Sequence, residues 1–462
     1  MKLSLKQFTS GVLNFIVFLI CMFYMLLSWN KAVTYEGWAV EIAIVSVTLL
    51  LYQLATMKSI KCNLYSMIPW FTVLNYIFIF GRIYLKALGY ERQLGWNLFL
   101  MYSHKDAYHA ALYCLCYIQG MFTGMVFFRT SKINNAKLVI NNFCNNSKQI
   151  GIILLIFTLP FRIYCDVVQI IAQRISGGYV AVVEINGVVG AIAQLFPISI
   201  IYLIASNNIR DRQEKIIYLS YCVYSLVIMM LSGDRRYALI GMLAVTLCYV
   251  RKKEVKINIK RLILFIIVAI LGLSLLTAIR RMRETGAGSL KALNEALIIS
   301  ISEDNIFYEL FNEFGLTFYT YMLAFKNIPL VIGYKYGLSY VYAVLSVIPG
   351  AYRFANSSIM QNNIYQTIYK IENQALGGAF GQELYGNFGL FSPVVAIFAG
   401  YLIQKIAGND DNNIESTLVK YYSLFYFFIN LVRASLAEIV RILFYYFIVI
   451  WIINKIFKNH RN

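Results

Sequence analysis

Long apolar stretches recur along the chain and alternate with short polar segments. A helix needs about 20 apolar residues to cross a bilayer. Windows of that length predict about twelve membrane-spanning helices. Their approximate ranges are 11–29, 38–57, 66–88, 108–128, 150–172, 187–206, 216–232, 236–250, 262–279, 387–404, 419–432 and 439–456. The pattern therefore predicts an all-α polytopic membrane protein.

Lysine and arginine residues concentrate in alternate gaps between the predicted spans. Basic clusters follow the second, fourth, sixth and eighth spans, and lysines stand near both ends of the chain. Because basic loops are retained in the cytoplasm, these gaps are predicted to be cytoplasmic. Both termini then lie in the cytoplasm, and residues 280–386 lie on the outer face of the membrane.

Residues 280–386 form a long stretch that is too polar to sit in a membrane. The chain is thus predicted to have three regions: about nine spans at 1–279, a large outer loop at 280–386, and about three spans at 387–462. Within the loop, apolar residues recur at helical spacing around 290–301 and 306–318. We predict that the loop contains amphipathic helices lying along the outer membrane surface and acts as a substrate platform.

The composition supports a membrane protein and excludes several other classes. The chain is 60% hydrophobic and 14% charged, whereas a soluble domain carries about 25% charged residues. The net charge of +19 comes mostly from loops beside the spans, so nucleic acid is not an expected partner. The eight cysteines fall mainly in apolar runs and are predicted to be core residues rather than disulfides or zinc ligands.

Two further chemistries are not expected. His104 and His109 are spaced poorly for a shared metal on one helix face and have no third ligand nearby in the sequence, so no metal site is predicted. The chain has no Gly-x-x-x-x-Gly-Lys-Ser/Thr motif, and no cofactor is expected.

Arginines occur on the predicted outer face, where the orientation rule should deplete them. Arg235 and Arg236 stand in the tight turn 232–236. The others follow the ninth span, lie in the outer loop, or flank the last outer turn: Arg280, Arg281, Arg283, Arg353, Arg433 and Arg441. A guanidinium is a rigid fork of donors that fits phosphate oxygens. The set predicts a site for a lipid-linked diphosphate, although each arginine alone is better explained by contact with lipid head groups.

Glu383 is the candidate catalytic carboxylate. It lies within a glycine-rich segment, and glycine allows a substrate to approach the backbone closely. Its place just before an apolar span removes it partly from water, as a general base requires. The alternative is an interfacial glutamate paired with one of the arginines.

Other charged residues are weaker candidates. Glu313 fits the polar face of an amphipathic helix as well as a substrate site. Arg162 and Asp166, four apart in the fifth predicted span, are predicted to form an internal ion pair. The tyrosines of the outer loop, including Tyr319 and Tyr321, are candidates either to stack on sugars or to anchor the loop in the interface, and anchoring alone is expected for most of them.

Several short motifs lie in the later half of the chain, at about 230–445. They are Gly233-Asp234-Arg235, Asn312-Glu313-Phe314-Gly315, Tyr336-Gly337-Leu338-Ser339-Tyr340 followed by Ile348-Pro349, Gly381-Gln382-Glu383-Leu384-Tyr385-Gly386-Asn387-Phe388-Gly389, and Arg433 near a late outer turn. Together they resemble the oligosaccharide repeat-unit polymerases of the Wzy type. The segment from Glu383 to Gly389 is the most specific of these motifs.

The resemblance implies a fold similar to multi-span membrane glycosyltransferases related to O-antigen ligases. It implies an inverting, metal-independent glycosyltransferase on the outer face of the bacterial cytoplasmic membrane. Such an enzyme polymerises polyprenyl-diphosphate-linked oligosaccharide repeat units into O-antigen or capsular polysaccharide. The expected partners are the lipid-linked donor and acceptor and the bilayer, with a chain-length regulator and a flippase as further candidates.

The resemblance also suggests roles for individual residues. Glu383 is expected to deprotonate the acceptor hydroxyl, and Arg235 is expected to stabilise the leaving diphosphate. The expected substrate-binding residues are Arg236, Arg280, Arg281, Arg283, Arg353, Arg433, Arg441, Glu313, Tyr385 and Asn387.

Two other functions stay open at this point. A flippase or transporter of the same lipid-linked sugars predicts internal repeats and several charges at mid-membrane, whereas the sequence shows one such pair and no repeat. A ligase that transfers finished glycans resembles a polymerase closely, and the sequence separates the two poorly.

Overall fold

The computed structural model describes most of the chain, and its regular secondary structure in the described residues is entirely helical. The described residues are 5–31, 37–90, 97–129, 147–175, 185, 187–232, 236–254, 306–348, 350, 363–373, 377–408 and 415–459. The prediction of an all-α protein is confirmed for this part of the chain.

Eight helical segments of the described residues are long and apolar enough to cross a membrane. They are Thr9–Ser28, Gly37–Ser59, Met67–Ala87, His104–Phe127, Ser147–Ala172, Gly187–Ala205, Phe380–Ala407 and Leu436–Ile456. Each matches a predicted span, although Phe380–Ala407 begins earlier than the predicted span 387–404. The predicted spans 216–232, 236–250 and 419–432 coincide with helices outside these eight, and 262–279 lies outside the described residues.

The chain divides into two compact units, which do not follow its linear order. The first unit comprises residues 1–136, 310–409 and 428–441, and the second comprises 137–309, 410–427 and 442–462. Much of the predicted outer loop thus belongs to the same unit as the first spans. The division of the chain into 1–279, 280–386 and 387–462 stays a prediction.

The first unit contains the helices that position the candidate site. They are α1 (Leu5–Ser28), α2 (Gly37–Ser59), α3 (Met67–Asn75), α4 (Gly81–Ala87), α5 (His104–Arg129), α11 (Ile306–Phe314), α12 (Thr317–Asn327), α13 (Leu338–Leu345), α14 (Ile364–Glu372), α15 (Phe380–Phe388) and α16 (Ser392–Ala407). Helix α11 belongs to this unit from residue 310 onward, and its first residues belong to the second unit. A π-helical turn, Tyr76–Phe80, joins α3 to α4.

The second unit contains α6 (Ser147–Ile175), α7 (Gly187–Ala193), α8 (Phe196–Ala205), α9 (Asp211–Ser232) and α10 (Arg236–Lys252). The last two helices, α17 (Glu415–Ile429) and α18 (Leu436–Asn459), contribute residues to both units. The predicted ion pair is confirmed within the second unit, since Arg162 Nη2 lies 2.6 Å from Asp166 Oδ1.

Helix α5 is the central helix of the first unit, because it packs against α1, α12 and α16 and 94% of its apolar window is buried. Its contact with α16 depends on small residues. A Cβ atom at Gly124 would lie 2.0 Å from the Ile397 carbonyl oxygen, and one at Gly400 would lie 2.3 Å from the Met121 carbonyl oxygen. Small residues at such positions let helix backbones approach closely in membranes. This packing fixes α16 and therefore α15, which precedes it.

Helix α12 differs from the amphipathic surface helices that the sequence predicts. Ten of its residues are buried, including Tyr319 and Tyr321. The helix packs against α5, so all its faces meet protein. The expectation that these two tyrosines anchor a loop in the interface is therefore wrong. Helix α14, which the sequence analysis did not single out, is amphipathic, with Ile364 and Ile368 buried.

The described cysteines are not joined by disulfides, and five of them are buried: Cys21, Cys114, Cys116, Cys165 and Cys248. This agrees with the prediction that they are core residues.

Candidate functional site

Helix α15 carries the candidate carboxylate, and its start is fixed locally. Gly377 has a φ of +80°, a left-handed conformation that favours glycine. Ala379 is extended, and its amide donates to Gln382 Oε1 at 3.4 Å. Gln382 thus satisfies one of the amides that the first turn of a helix leaves unpaired. The helix ends at Gly389, which has a φ of +56°.

Glu383 is buried at this helix, with 6% of its surface exposed. Its Oε1 accepts a hydrogen bond of 2.9 Å from Ser339 Oγ in α13. Its Oε2 accepts one of 2.7 Å from the amide of Leu436, the first residue of α18. The unpaired amides at a helix N-terminus carry a partial positive charge that favours an anion. Among the described residues, Glu383 is therefore held by neutral donors and makes no pair with an arginine or a lysine.

Asn387 positions the donors around Glu383. Its Nδ2 donates to Ser339 Oγ at 2.7 Å and to the Glu383 carbonyl oxygen at 2.8 Å. Its Oδ1 accepts from the amide of Gly337, whose φ is +88°, at 2.9 Å. Since Asn387 donates to the oxygen of Ser339, the hydroxyl proton of Ser339 is left to point at Glu383.

A small cleft opens beside Glu383. Its walls come from α13, α14, α15 and the start of α18. The described residues that line it are Tyr342, Asn363, Ile364, Tyr365, Gly378, Ala379, Gln382, Glu383, Ser435 and Ala437. These residues are apolar, aromatic, small, or polar without charge, apart from the one carboxylate.

Tyr385 and two glycines of the motif contact the protein interior instead. The ring of Tyr385 stacks on Phe325, with 3.9 Å between ring centres. A Cβ atom at Gly381 would lie 2.6 Å from the Tyr321 hydroxyl, and one at Gly386 would lie 2.4 Å from a methyl carbon of Ile364. At these two glycines the groups that approach the backbone are the protein's own side chains. Of the glycines around Glu383, Gly378 lines the cleft.

Two predicted arginines of the first unit lie close in the sequence to residues that line the cleft. The guanidinium of Arg433 lies 5.8 Å from the ring centre of Phe78, and the residue precedes the cleft residue Ser435 by two positions. Arg441 lies one helical turn after Ala437, and its Nε donates to the Ser346 carbonyl oxygen at 3.3 Å.

The structure does not describe the side chains of the other predicted arginines. Arg235, Arg280, Arg281, Arg283 and Arg353 lie outside the described residues. Arg236 is the first residue of α10. Glu313 is half-buried near the end of α11.

Arg82 is a buried cation that the sequence analysis missed. It is 3% exposed, and its Nε donates to the Asn312 carbonyl oxygen at 2.9 Å. Its Nη1 donates to the Tyr319 hydroxyl at 3.1 Å. A Cβ atom at Gly315 would lie 2.4 Å from the Arg82 amide. The motif from Asn312 to Gly315 therefore packs around Arg82, and an arginine inside a predicted span was the signal that pointed to it.

A cluster of polar residues centred on Glu372 joins the ends of α12 and α14 in the first unit. Glu372 accepts hydrogen bonds from Asn327 Nδ2 at 2.7 Å and Tyr102 Oη at 2.9 Å, and Lys326 Nζ lies 2.8 Å from it. Burial alone would raise the pKa of Glu372, but these partners outweigh burial and hold the pKa below its ordinary value. Burial and the contact with Glu372 raise the pKa of Tyr102 to about 12. This cluster fixes α14, which forms one wall of the cleft.

A comparison with protein-family models covers almost the whole chain. The model described as O-antigen polysaccharide polymerase Wzy matches residues 11–460. No curated protein and no solved structure matches the chain. The family match includes the early spans, which the short motifs at about 230–445 do not cover.

Proposed function

The chain belongs to the O-antigen polysaccharide polymerase Wzy family, and on that premise we propose that Glu383 and the cleft beside it carry the polymerisation step. The protein is a bacterial inner-membrane polymerase that joins lipid-linked oligosaccharide repeat units into O-antigen. The observation that supports the proposal is a buried carboxylate that borders a cleft and is held by neutral donors alone among the described residues.

In the proposed reaction, a hydroxyl of the acceptor sugar attacks the anomeric carbon of the donor chain. A carbon–oxygen bond forms there, and the bond from that carbon to the diphosphate oxygen breaks. The diphosphate leaves with the bonding electron pair, and the hydroxyl proton passes to Glu383. Because this is one displacement without a covalent enzyme intermediate, the configuration at the anomeric carbon inverts. The reaction needs no metal ion, because the arginines supply the positive charge.

The second part of the proposal concerns the leaving diphosphate. We assign its binding to Arg235, Arg236, Arg280, Arg281, Arg283, Arg353, Arg433 and Arg441. Preorganised positive charge stabilises the negative charge that develops on a leaving group. The place of Arg433 and Arg441 in the chain, on either side of the cleft residues at the start of α18, supports this assignment.

The third part of the proposal is the topology. About twelve spans place both termini in the cytoplasm and the cleft at the outer face, where lipid-linked repeat units arrive. A flippase that supplies the repeat units and a regulator that sets chain length are the proposed protein partners.

Glu383→Gln tests the catalytic assignment in a strain that lacks the native copy. The substitution keeps the shape of the side chain and removes its capacity as a base. Loss of a general base costs about 10²- to 10⁴-fold in rate. We therefore expect the surface glycan ladder to collapse to single-repeat material, with normal protein on a blot. The matched control is Glu254→Gln, the same change at a turn after α10, which should leave the ladder intact.

Two other outcomes would change the conclusion. If the ladder is unchanged, Glu383 is not the base. If no repeat unit reaches the surface in the Glu383→Gln strain, the chain acts in export or ligation rather than in polymerisation.

A further inference from the structure

The cleft beside Glu383 is suited to an uncharged ligand. None of the described residues that line it is a lysine or an arginine. A diphosphate would lack a counter-charge there, whereas a sugar ring presents hydroxyl groups and an apolar face.

Gln382 provides a donor in this cleft. Its side chain lines the cleft, and the residue is 3% exposed. The amide of Ala379 donates to Oε1, which fixes the orientation of the side-chain amide because an N–H pairs only with the oxygen. Among the described residues, no group accepts a hydrogen bond from its Nε2. A side-chain amide that lines the cleft in this way is available to donate to an acceptor on a ligand.

Two aromatic residues line the cleft. Tyr342 comes from α13 and Tyr365 from α14, and both line the space that Glu383 borders. Tyr342 is held by Asn363, whose Nδ2 lies 3.5 Å from the tyrosine hydroxyl. Tyrosine combines an apolar face with a polar tip, which matches the two kinds of surface on a sugar ring.

We propose that this cleft is a binding site for one uncharged sugar ring, the end of the acceptor repeat unit that is distant from its lipid. In this site Gln382 Nε2 donates to an oxygen of the ring or of a hydroxyl group, and the attacking hydroxyl faces Glu383. The proposal rests on the proposed role of Glu383 as the base. It separates the two substrates, since the acceptor is recognised by its sugar in the cleft and the donor by its diphosphate at the arginines.

Binding is measured on the purified full-length chain with a thiol introduced into the cleft. Ser435→Cys places the thiol in the wall, and a maleimide reports its accessibility against the background of the chain without this change. The first probe is the repeat-unit oligosaccharide, released by mild acid from lipid-linked units of a strain that lacks the polymerase. The second probe is inorganic diphosphate. We expect the oligosaccharide, and not the diphosphate, to slow labelling.

Two substitutions at Gln382 test the donor. Gln382→Ala removes it, and Gln382→Glu removes it while keeping an acceptor for the Ala379 amide at the start of α15. In both variants, we expect protection to need about three- to tenfold more oligosaccharide, the effect of one hydrogen bond. The matched control is Gln404→Ala, which removes a buried glutamine of α16 whose Nε2 donates to the Gly408 carbonyl oxygen. This control should need the same concentration as the parent.

The outcomes distinguish the sugar site from the catalytic assignment. If the oligosaccharide gives no protection, if both Gln382 variants are protected as well as the parent, or if diphosphate alone protects, the sugar site is wrong. If Glu383→Gln polymerises normally while the oligosaccharide still protects the thiol, the base assignment fails and the sugar site stands.

Discussion

Asp166 and Glu383 are both buried carboxylates, but they are held in different ways. Asp166 in the second unit has a side chain 2% exposed and a counter-ion, since Arg162 Nη2 lies 2.6 Å from its Oδ1. The hydroxyl of Tyr224 also donates to Asp166. Glu383 in the first unit is 6% exposed, and its described partners are Ser339 and the backbone amide of Leu436.

The difference indicates which carboxylate is available for chemistry. Asp166 is engaged with a counter-ion, and loss of either charge would leave the other buried without its partner. Neutral donors hold Glu383 in place without a pair that proton uptake would break. Glu383 also borders a cleft, where a reacting group has access. We therefore expect substitutions at the ion pair to change stability, and substitutions around Glu383 to change rate.

The largest expected effect comes from Arg162→Ala. This change leaves Asp166 as a buried charge without its counter-ion, which costs about 3–5 kcal/mol. We expect less protein in the membrane and a lower melting temperature in detergent, while polymer formed per folded molecule stays near the parent value. A fluorescence melting curve and a polymerisation assay on the same preparation measure both quantities.

A double variant provides the control for this ion pair. Arg162→Met with Asp166→Asn removes both charges, and such replacements are often close to neutral in stability. Its melting temperature should therefore lie above that of Arg162→Ala. If Arg162→Ala instead melts like the parent and forms no polymer, the pair takes part in the reaction, and the contrast with Glu383 fails.

Glu372 provides an intermediate case with a smaller expected effect. Its side chain is 7% exposed, and it has both a cation, Lys326, and the neutral donors Asn327 and Tyr102. Glu372→Gln removes the charge of this cluster, and hydrogen bonds to charged groups are worth about 1.5–3 kcal/mol each. We expect a lower melting temperature and looser attachment of α14, with weaker binding of the oligosaccharide as a consequence.

The pH dependence of stability tests the same cluster. The pKa of Glu372 lies below its ordinary value in the folded protein. Its contribution to stability is therefore complete above the ordinary value and is lost as the pH falls through the folded value. The difference in melting temperature between the parent and Glu372→Gln should shrink over that acidic range. A difference that stays constant down to low pH would show that the charge of Glu372 does not stabilise the fold.

Local patterns in the sequence predicted the local structure well. Eight predicted spans coincide with membrane-capable helices, because apolar length alone decides whether a helix can cross a bilayer. The ion pair of Arg162 and Asp166 was predictable because residues four apart face each other on a helix. The glycine-rich motif identified Glu383 as the candidate carboxylate, and its catalytic role stays a proposal.

Contacts between distant parts of the chain were not predictable in this way. Ser339 and Leu436 lie 44 and 53 positions from Glu383 in the sequence, and no periodicity connects them. The burial of α12 on all faces has the same origin, since packing against α5 overrides the pattern that predicted a surface helix. Arg82 was missed because its partners, the Asn312 carbonyl and the Tyr319 hydroxyl, lie more than two hundred positions away.

The smallest expected effect is that of Ser339→Ala, which isolates one neutral donor of Glu383. The hydroxyl of Ser339 donates to Glu383 Oε1 at 2.9 Å and accepts from Asn387 Nδ2 at 2.7 Å. Its loss leaves the carboxylate with the Leu436 amide alone among the described donors, at a cost of about 0.5–1.5 kcal/mol. We expect kcat to fall about three- to tenfold and the pH profile of kcat to move, because the hydroxyl stabilises the charged form of the base. Ser339→Thr keeps the hydroxyl and should restore both properties. A role in packing alone predicts a lower melting temperature with an unchanged pH profile, and that result would remove Ser339 from the positioning of Glu383.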